Sequence, residues 1–108
     1  MKLLDAKQFF TSTTSPSESA IFLTNGSQMV VSIDGEAANF SVSILGQSAL
    51  KPIDQWTELA TISAKDFSVS TTMTSKGNYF VGIDGIGRIK AVINNTDGAI
   101  NVSGKVGE

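Results

Sequence analysis

The stretch NFSVSIL, residues 39–45, sets Phe40, Val42 and Ile44 at every second position, with Ser41 and Ser43 between them. Successive side chains of an extended strand leave opposite faces, so this spacing gathers three apolar groups on one face and two hydroxyls on the other. A helix of 3.6 residues per turn would scatter the same three around its surface. The stretch therefore reads as a half-buried β-strand. The same period runs through IFLT (21–24), MVVSID (29–34), ELATIS (58–63), DFSVS (66–70), YFVGID (79–84), IGRIKAVIN (86–94) and AINVSGKV (99–106). Phe40, Phe67 and Phe80 are expected in the core.

Between these runs lie Asn25-Gly26, Asp34-Gly35, Lys76-Gly77-Asn78, Asp84-Gly85 and Asp97-Gly98. Asn-Gly and Asp-Gly tolerate the positive φ of tight turns, so each pair predicts a hairpin. Seven or eight short strands with such spacing predict an all-β fold, an antiparallel β-sandwich (jelly-roll or Ig-like) or a small barrel. Residues 21–108 form that domain. KLLDAKQFF (2–10) reads as a short strand or a single helical turn and TSTTSPSESA (11–20) as an extended arm or loop, and residues 1–20 together are expected to dock on a neighbouring subunit, where Phe9 and Phe10 are the candidate interface contacts. Residues 46–55, GQSALKPIDQ, are expected to cross from one sheet to the other. A faint repeat, VSIDGEAANFSVSI from Val31 and VGIDGIGRIKAVI from Val81, is explained by two hairpins of similar design.

Composition narrows function. The 108 residues include no cysteine and no histidine, which removes thiolate nucleophiles, imidazole bases and most zinc ligand sets. An enzyme would have to work with carboxylates, lysine or hydroxyls, so a non-enzymatic role without cofactor is expected. Eight basic and ten acidic residues give a net charge of -2 with the cations scattered, unlike the basic stripe that binds phosphate backbones. Neither a membrane-spanning stretch nor a signal-peptide core is legible, and synthesis in a cytosol is expected.

GIDGIGRIK (82–90) holds three glycines, but the third position of a dinucleotide fingerprint is Lys90 and a strand pattern follows instead of a helix. The glycines are expected to turn the chain at Asp84-Gly85 and to bulge it at Gly87. The acids Asp34, Glu36, Asp54, Asp66, Asp84 and Asp97 form no EF-hand-like run, and the Asp-Gly pairs already have turn roles. Trp56, the single tryptophan, either stacks on a sugar or anchors an interface, or closes one end of the core; Tyr79 carries the same ambiguity. The four sequons, at Asn25, Asn39, Asn94 and Asn101, are read as incidental.

ILGQSALKPIDQWTELATI (44–62) and GNYFVGIDGIGRIKAVINNTDGAINVSG (77–104) together resemble the small β-sandwich accessory proteins of bacteriophage and prophage virions. In that pattern an Asp-Gly shortly precedes the tryptophan, and here Pro52-Ile53-Asp54-Gln55 stands in its place. The resemblance implies a virion structural part, such as a capsid decoration, head fibre or tail component, with other virion proteins as partners and a homo-oligomeric state. Arg88 takes the family's arginine position and supports packing or an interface. The alternative is a carbohydrate-binding, host-adhesion module using Trp56 or Tyr79 on a glycan.

Overall fold

The computed structural model describes residues 3–24, 26–48 and 55–107. NFSVSIL lies in a strand, β5 (Phe40–Ser48), that buries Phe40, Val42 and Ile44 together. Ser43 is also buried, and its hydroxyl accepts a 2.9 Å hydrogen bond from the Asn94 side chain, which removes the cost of hiding it. In chain order the other strands are β1 (Leu3–Thr13), β2 (Ser17–Glu18), β3 (Phe22–Leu23), β4 (Gln28–Gly35), β6 (Thr57–Glu58), β7 (Thr61–Ser63), β8 (Val69–Ser70), β9 (Gly77–Gly82), β10 (Ile86–Thr96) and β11 (Ile100–Gly107). They make two antiparallel sheets. One runs β1-β11-β4-β9-β7-β8, the other β2-β10-β5-β6 with β3 also on β10. Between them lie Met29, Val31 and Ile33 of β4, Val81 of β9 and Val102 of β11, facing Val42 and Ile44 of β5 and Ile89, Ala91 and Ile93 of β10. Each fully buried side chain of this kind contributes roughly 1.5–3 kcal/mol. The expected all-β sandwich is what forms.

The connections differ from expectation. The Asp34-Gly35, Asp84-Gly85 and Asp97-Gly98 pairs do not make hairpins: β4 and β5, β9 and β10, and β10 and β11 each lie in opposite sheets. All three are corners that carry the chain across the sandwich. Gly35 has φ 126° and Gly85 has φ 81°, and the Ile86 amide donates to the Ile83 carbonyl at 2.9 Å to close the second corner. A hairpin in one sheet and an arch between two sheets use the same turn chemistry and bury the same alternate residues, so local sequence does not separate them. At Gly87 the register slips between Ile86↔Ser48 and Arg88↔Gln47, which is the expected bulge.

The faint repeat is therefore a pair of arches, β4-corner-β5 and β9-corner-β10, set side by side. Their registers exchange about a local twofold: Met29↔Val81 maps onto Val31↔Tyr79, and Val42↔Ile93 onto Ile44↔Ala91.

ELATIS is divided. Thr57–Glu58 pairs with β5 and Thr61–Ser63 with β9, so the chain changes sheets at Leu59 and Ala60. The Leu59 amide donates to the Ile44 carbonyl at 2.8 Å, and the Leu59 side chain packs on Gly46, where a Cβ would stand 2.9 Å from it. The expected crossing in 46–55 is thus displaced: β5 extends to Ser48, the chain returns to the same sheet at β6, and residues 49–54 lie outside the described residues.

Of the first twenty residues, expected as an arm toward another subunit, Leu3–Thr13 and Ser17–Glu18 are strands of their own chain's sandwich. β1 pairs along β11, and Ser17–Glu18 pairs with β10. A bulge between Gln8↔Ser103 and Phe10↔Val102 inserts Phe9 as an extra residue, so two consecutive phenylalanines are both buried.

Candidate functional site

One hairpin reverses the polarity of the sandwich. In β7 and β8, Ile62 pairs with Val69 and Thr61 with Ser70. Directly paired residues of a sheet share a face. The apolar pair faces solvent, Val69 66% and Ile62 37% exposed, while Thr61 is buried on the inner side. Through Ile62↔Phe80, Val30↔Phe80 and Val30↔Lys105 the outer face carries a row Val69, Ile62, Phe80, Val30 ending at a lysine. Phe80, expected in the core, is half-buried in this row.

On the inner side the hydroxyls of Thr61, Ser63, Ser68 and Ser70 wall a shallow depression of about 210 Å³, completed by Thr72, Thr74 and Ser75 and by Tyr79. Lys65 and Asp66 border it from the connecting turn. Thr61 Oγ1 donates to the Ser70 carbonyl at 2.8 Å, and the Tyr79 hydroxyl donates to the Ser75 carbonyl at 2.6 Å. Asp66 Oδ1 accepts from the Ser68 amide at 3.0 Å and from its hydroxyl at 2.7 Å. Those two bonds, the amide's first, hold the Asp66 carboxyl below its ordinary value of 3.8 and keep it an acceptor.

Phe67, also expected in the core, sits in this turn with φ 60° and 70% of its surface exposed. Its amide donates to the Ser63 carbonyl at 2.8 Å, which fixes the turn. Left-handed backbone disfavours a bulky side chain, and glycine is the default there.

The sequence-derived candidates are dispersed. Tyr79 is buried, and it alone of them reaches the depression. Phe9 and Phe10 are core residues, Phe9 meeting Phe22 edge-on at 5.4 Å between ring centroids, so their surface is used within the chain. Trp56 is half-buried, and the Lys90 ammonium sits 4.5 Å from its ring centroid while pairing with Glu18 at 2.6 Å. One face of the indole is thereby covered. Arg88 donates to Gln47 Oε1 at 3.2 Å, a contact between register partners of β10 and β5. Among the described residues no group of three or more acidic side chains is placed to hold a metal ion.

The surface positions of Ile62, Val69 and Phe67 and the lining hydroxyls are not legible in the sequence, because the alternation in ELATIS and DFSVS fits either face turned inward and apolar residues are expected inside. The density of Ser and Thr from 61 to 75 was the available signal.

No protein-family model matches the chain, and no curated protein matches it. Two solved structures share its fold. The SPBc2 prophage-derived protein YomS superposes with a TM-score of 0.83 at 20% identity, over 94% of this chain and 90% of that one. The PBSX exported protein XepA superposes with a TM-score of 0.86 at 20% identity, over 97% of this chain, which spans only 37% of XepA. At that identity the likeness is one of fold: this chain has the β-sandwich of those two proteins.

Proposed function

We propose that the chain is a non-enzymatic bacteriophage structural protein, a capsid decoration, head fibre or tail accessory, that works through protein-protein contacts as a homo-oligomer. In this reading it is made in the cytoplasm of a bacterial host and ends in the virion. The fold shared with two proteins, one named as prophage-derived and the other as a PBSX exported protein, supports a phage origin.

The observation that carries the contact role is the solvent-facing row Val69, Ile62, Phe80, Val30. A sheet face meant for water alternates polar residues outward, and a contiguous apolar row marks a surface that another protein covers. The row also ends at β8, an edge strand, where a partner strand can add to the sheet.

Mass spectrometry of gradient-purified particles, with copy number referred to the major capsid protein, tests the virion role. Hundreds of copies support a decoration or head fibre, a dozen or so support a tail part, and absence overturns the reading. Light scattering tests the contact: the Ile62→Lys/Val69→Lys double variant is expected to stay folded and lose assembly. Unchanged assembly rejects this face.

A further inference from the structure

Three Asp-Gly pairs make corners of the sandwich, and they are not chemically alike. In Asp-Gly the backbone nitrogen that follows the acid can approach the side-chain carboxyl, because glycine brings no Cβ to block it. Whether the two groups react depends on how firmly the fold holds each of them.

At two corners both are held. The Asp97 carboxylate accepts hydrogen bonds from the Asn39 amide and side chain and from the Ala38 amide, which keep it ionised. Gly98 is packed beside it, its Cβ position 3.2 Å from Ala37 Cα. Asp34 Oδ1 accepts a 2.8 Å bond from the Asn101 side chain, and Gly35 is registered against Ile100 with its Cβ position 2.5 Å from the Ala99 carbonyl oxygen. A hydrogen-bonded carboxylate is a poor electrophile, and a packed peptide does not turn toward it.

At the third corner neither is held. Asp84 and Gly85 are both exposed. Among the described residues no hydrogen bond reaches the Asp84 carboxylate or the Gly85 amide, and beyond its chain neighbours no heavy atom lies within 4 Å of the Gly85 Cβ position. The bond from the Ile86 amide to the Ile83 carbonyl brackets the Asp84–Gly85 peptide without fixing its orientation.

We infer that Asp84-Gly85 is a site of spontaneous isoaspartate formation, which in the folded chain converts ahead of Asp34-Gly35 and Asp97-Gly98. The Gly85 nitrogen bonds to Asp84 Cγ, and the amide hydrogen leaves with the carboxyl hydroxyl as one water, closing a five-membered succinimide. Water then adds to either ring carbonyl. Opening at Cγ restores aspartate, whereas opening at the former backbone carbonyl leaves the chain running through Cβ and Cγ with a free carboxylate on Cα. The step needs water alone and leaves the mass unchanged. Its product lengthens by one methylene the corner that carries β9 into β10 of the opposite sheet, where the open surroundings accommodate it. The inference does not rest on the virion reading.

The test ages the full chain in neutral buffer, folded and in urea, and maps its peptides by electron-transfer fragmentation, which separates isoaspartate from aspartate at equal mass. In the folded chain isoaspartate is expected at Asp84 about tenfold or more ahead of Asp34 and Asp97, the factor that opening one charge-assisted hydrogen bond imposes. In urea the rates at the three pairs are expected to converge. Asp84→Glu, whose longer side chain would have to close a six-membered ring, is expected to remove the signal at this corner without altering the melting temperature. Deamidation at Asn25-Gly26 changes the mass and is counted apart. Asp84 unconverted in the folded chain when the unfolded chain has reacted overturns the inference, as do three corners that convert alike in the folded chain.

Discussion

Asp97 and Asn39 are joined three ways across two corners of the sandwich. The Asp97 carboxylate accepts from the Asn39 amide N–H at 3.2 Å and from its side-chain amide at 3.0 Å, and the Asp97 N–H donates to the Asn39 carbonyl at 3.0 Å. A further bond from the Ala38 amide at 2.9 Å completes the set. The Asp97 carboxylate thus adds to the backbone bonds that tie the β4–β5 arch to the β10–β11 arch, among them those from the Glu36 and Ala37 amides to the Ala99 carbonyl.

Those bonds, led by the Asn39 backbone, hold the Asp97 carboxyl below its ordinary value of 3.8. A depressed folded value means that the stabilisation is fully present above the unfolded value and is lost as pH falls through the folded one. Asp97→Ala is therefore expected to lower the melting temperature at neutral pH, and the gap from the unmodified protein should close as the pH drops below 3.8. Calorimetry across that range checks it, and a gap independent of pH would remove the charge from the explanation.

Two glycines should respond oppositely to alanine. A Cβ on Gly35 would meet the Ala99 carbonyl oxygen at 2.5 Å, on a backbone with φ 126°. Both the contact and the conformation oppose it, and Gly35→Ala is expected to cost about 1–3 kcal/mol or more. Gly82 has open space around its Cβ position and no positive φ, so Gly82→Ala should be neutral or stabilise by roughly 0.4–1 kcal/mol through the unfolded chain. Urea midpoints of the pair decide the matter.

Phe40 and Phe67 look alike in the sequence, each opening an alternating run, and differ in the fold. Phe40→Ala is expected to cost roughly 3–5 kcal/mol because the ring is buried. Phe67→Gly should raise stability by about 1 kcal/mol, read as a higher denaturation midpoint, since it relieves a left-handed backbone and uncovers almost nothing. A fall in stability for Phe67→Gly would mean that the ring supports the turn.

What was legible follows from what alternation encodes. β4, β5, β9, β10 and β11 each bury one face along several residues, and period two reports that directly. It does not report which sheet receives the next strand, so the Asp-Gly corners passed for hairpins. At β1 the sequence leaves a short strand and a helical turn both open, because a bulge buries Phe9 and Phe10 in succession and breaks the period where the strand is most apolar. β7 and β8 obey the period with the opposite phase, and the assumption that apolar residues face inward concealed both the outer row and the hydroxyl-lined depression. The ring makes Tyr79 a candidate in the sequence, yet it is the hydroxyl that anchors it, on the Ser75 carbonyl.

Trp56 offers a spectroscopic test, because it is the single tryptophan and a cation lies 4.5 Å from its ring. The Lys90 side chain retains 15% of its surface and its partner Glu18 63%, so the ion pair is solvent-screened from the carboxylate side while the lysine stem is largely covered. An exposed ion pair contributes about 0–1 kcal/mol and a cation over an aromatic about 0.5–1 kcal/mol. Lys90→Met keeps the hydrocarbon stem and removes the charge from both contacts. The expected loss is about 1 kcal/mol, with a change in the intensity or wavelength of Trp56 emission at neutral pH. Glu18→Gln should leave the emission nearly as it was, since it frees the lysine without moving it off the ring. Emission that follows Glu18 rather than Lys90 would show that the carboxylate, and not the indole, fixes where the ammonium sits.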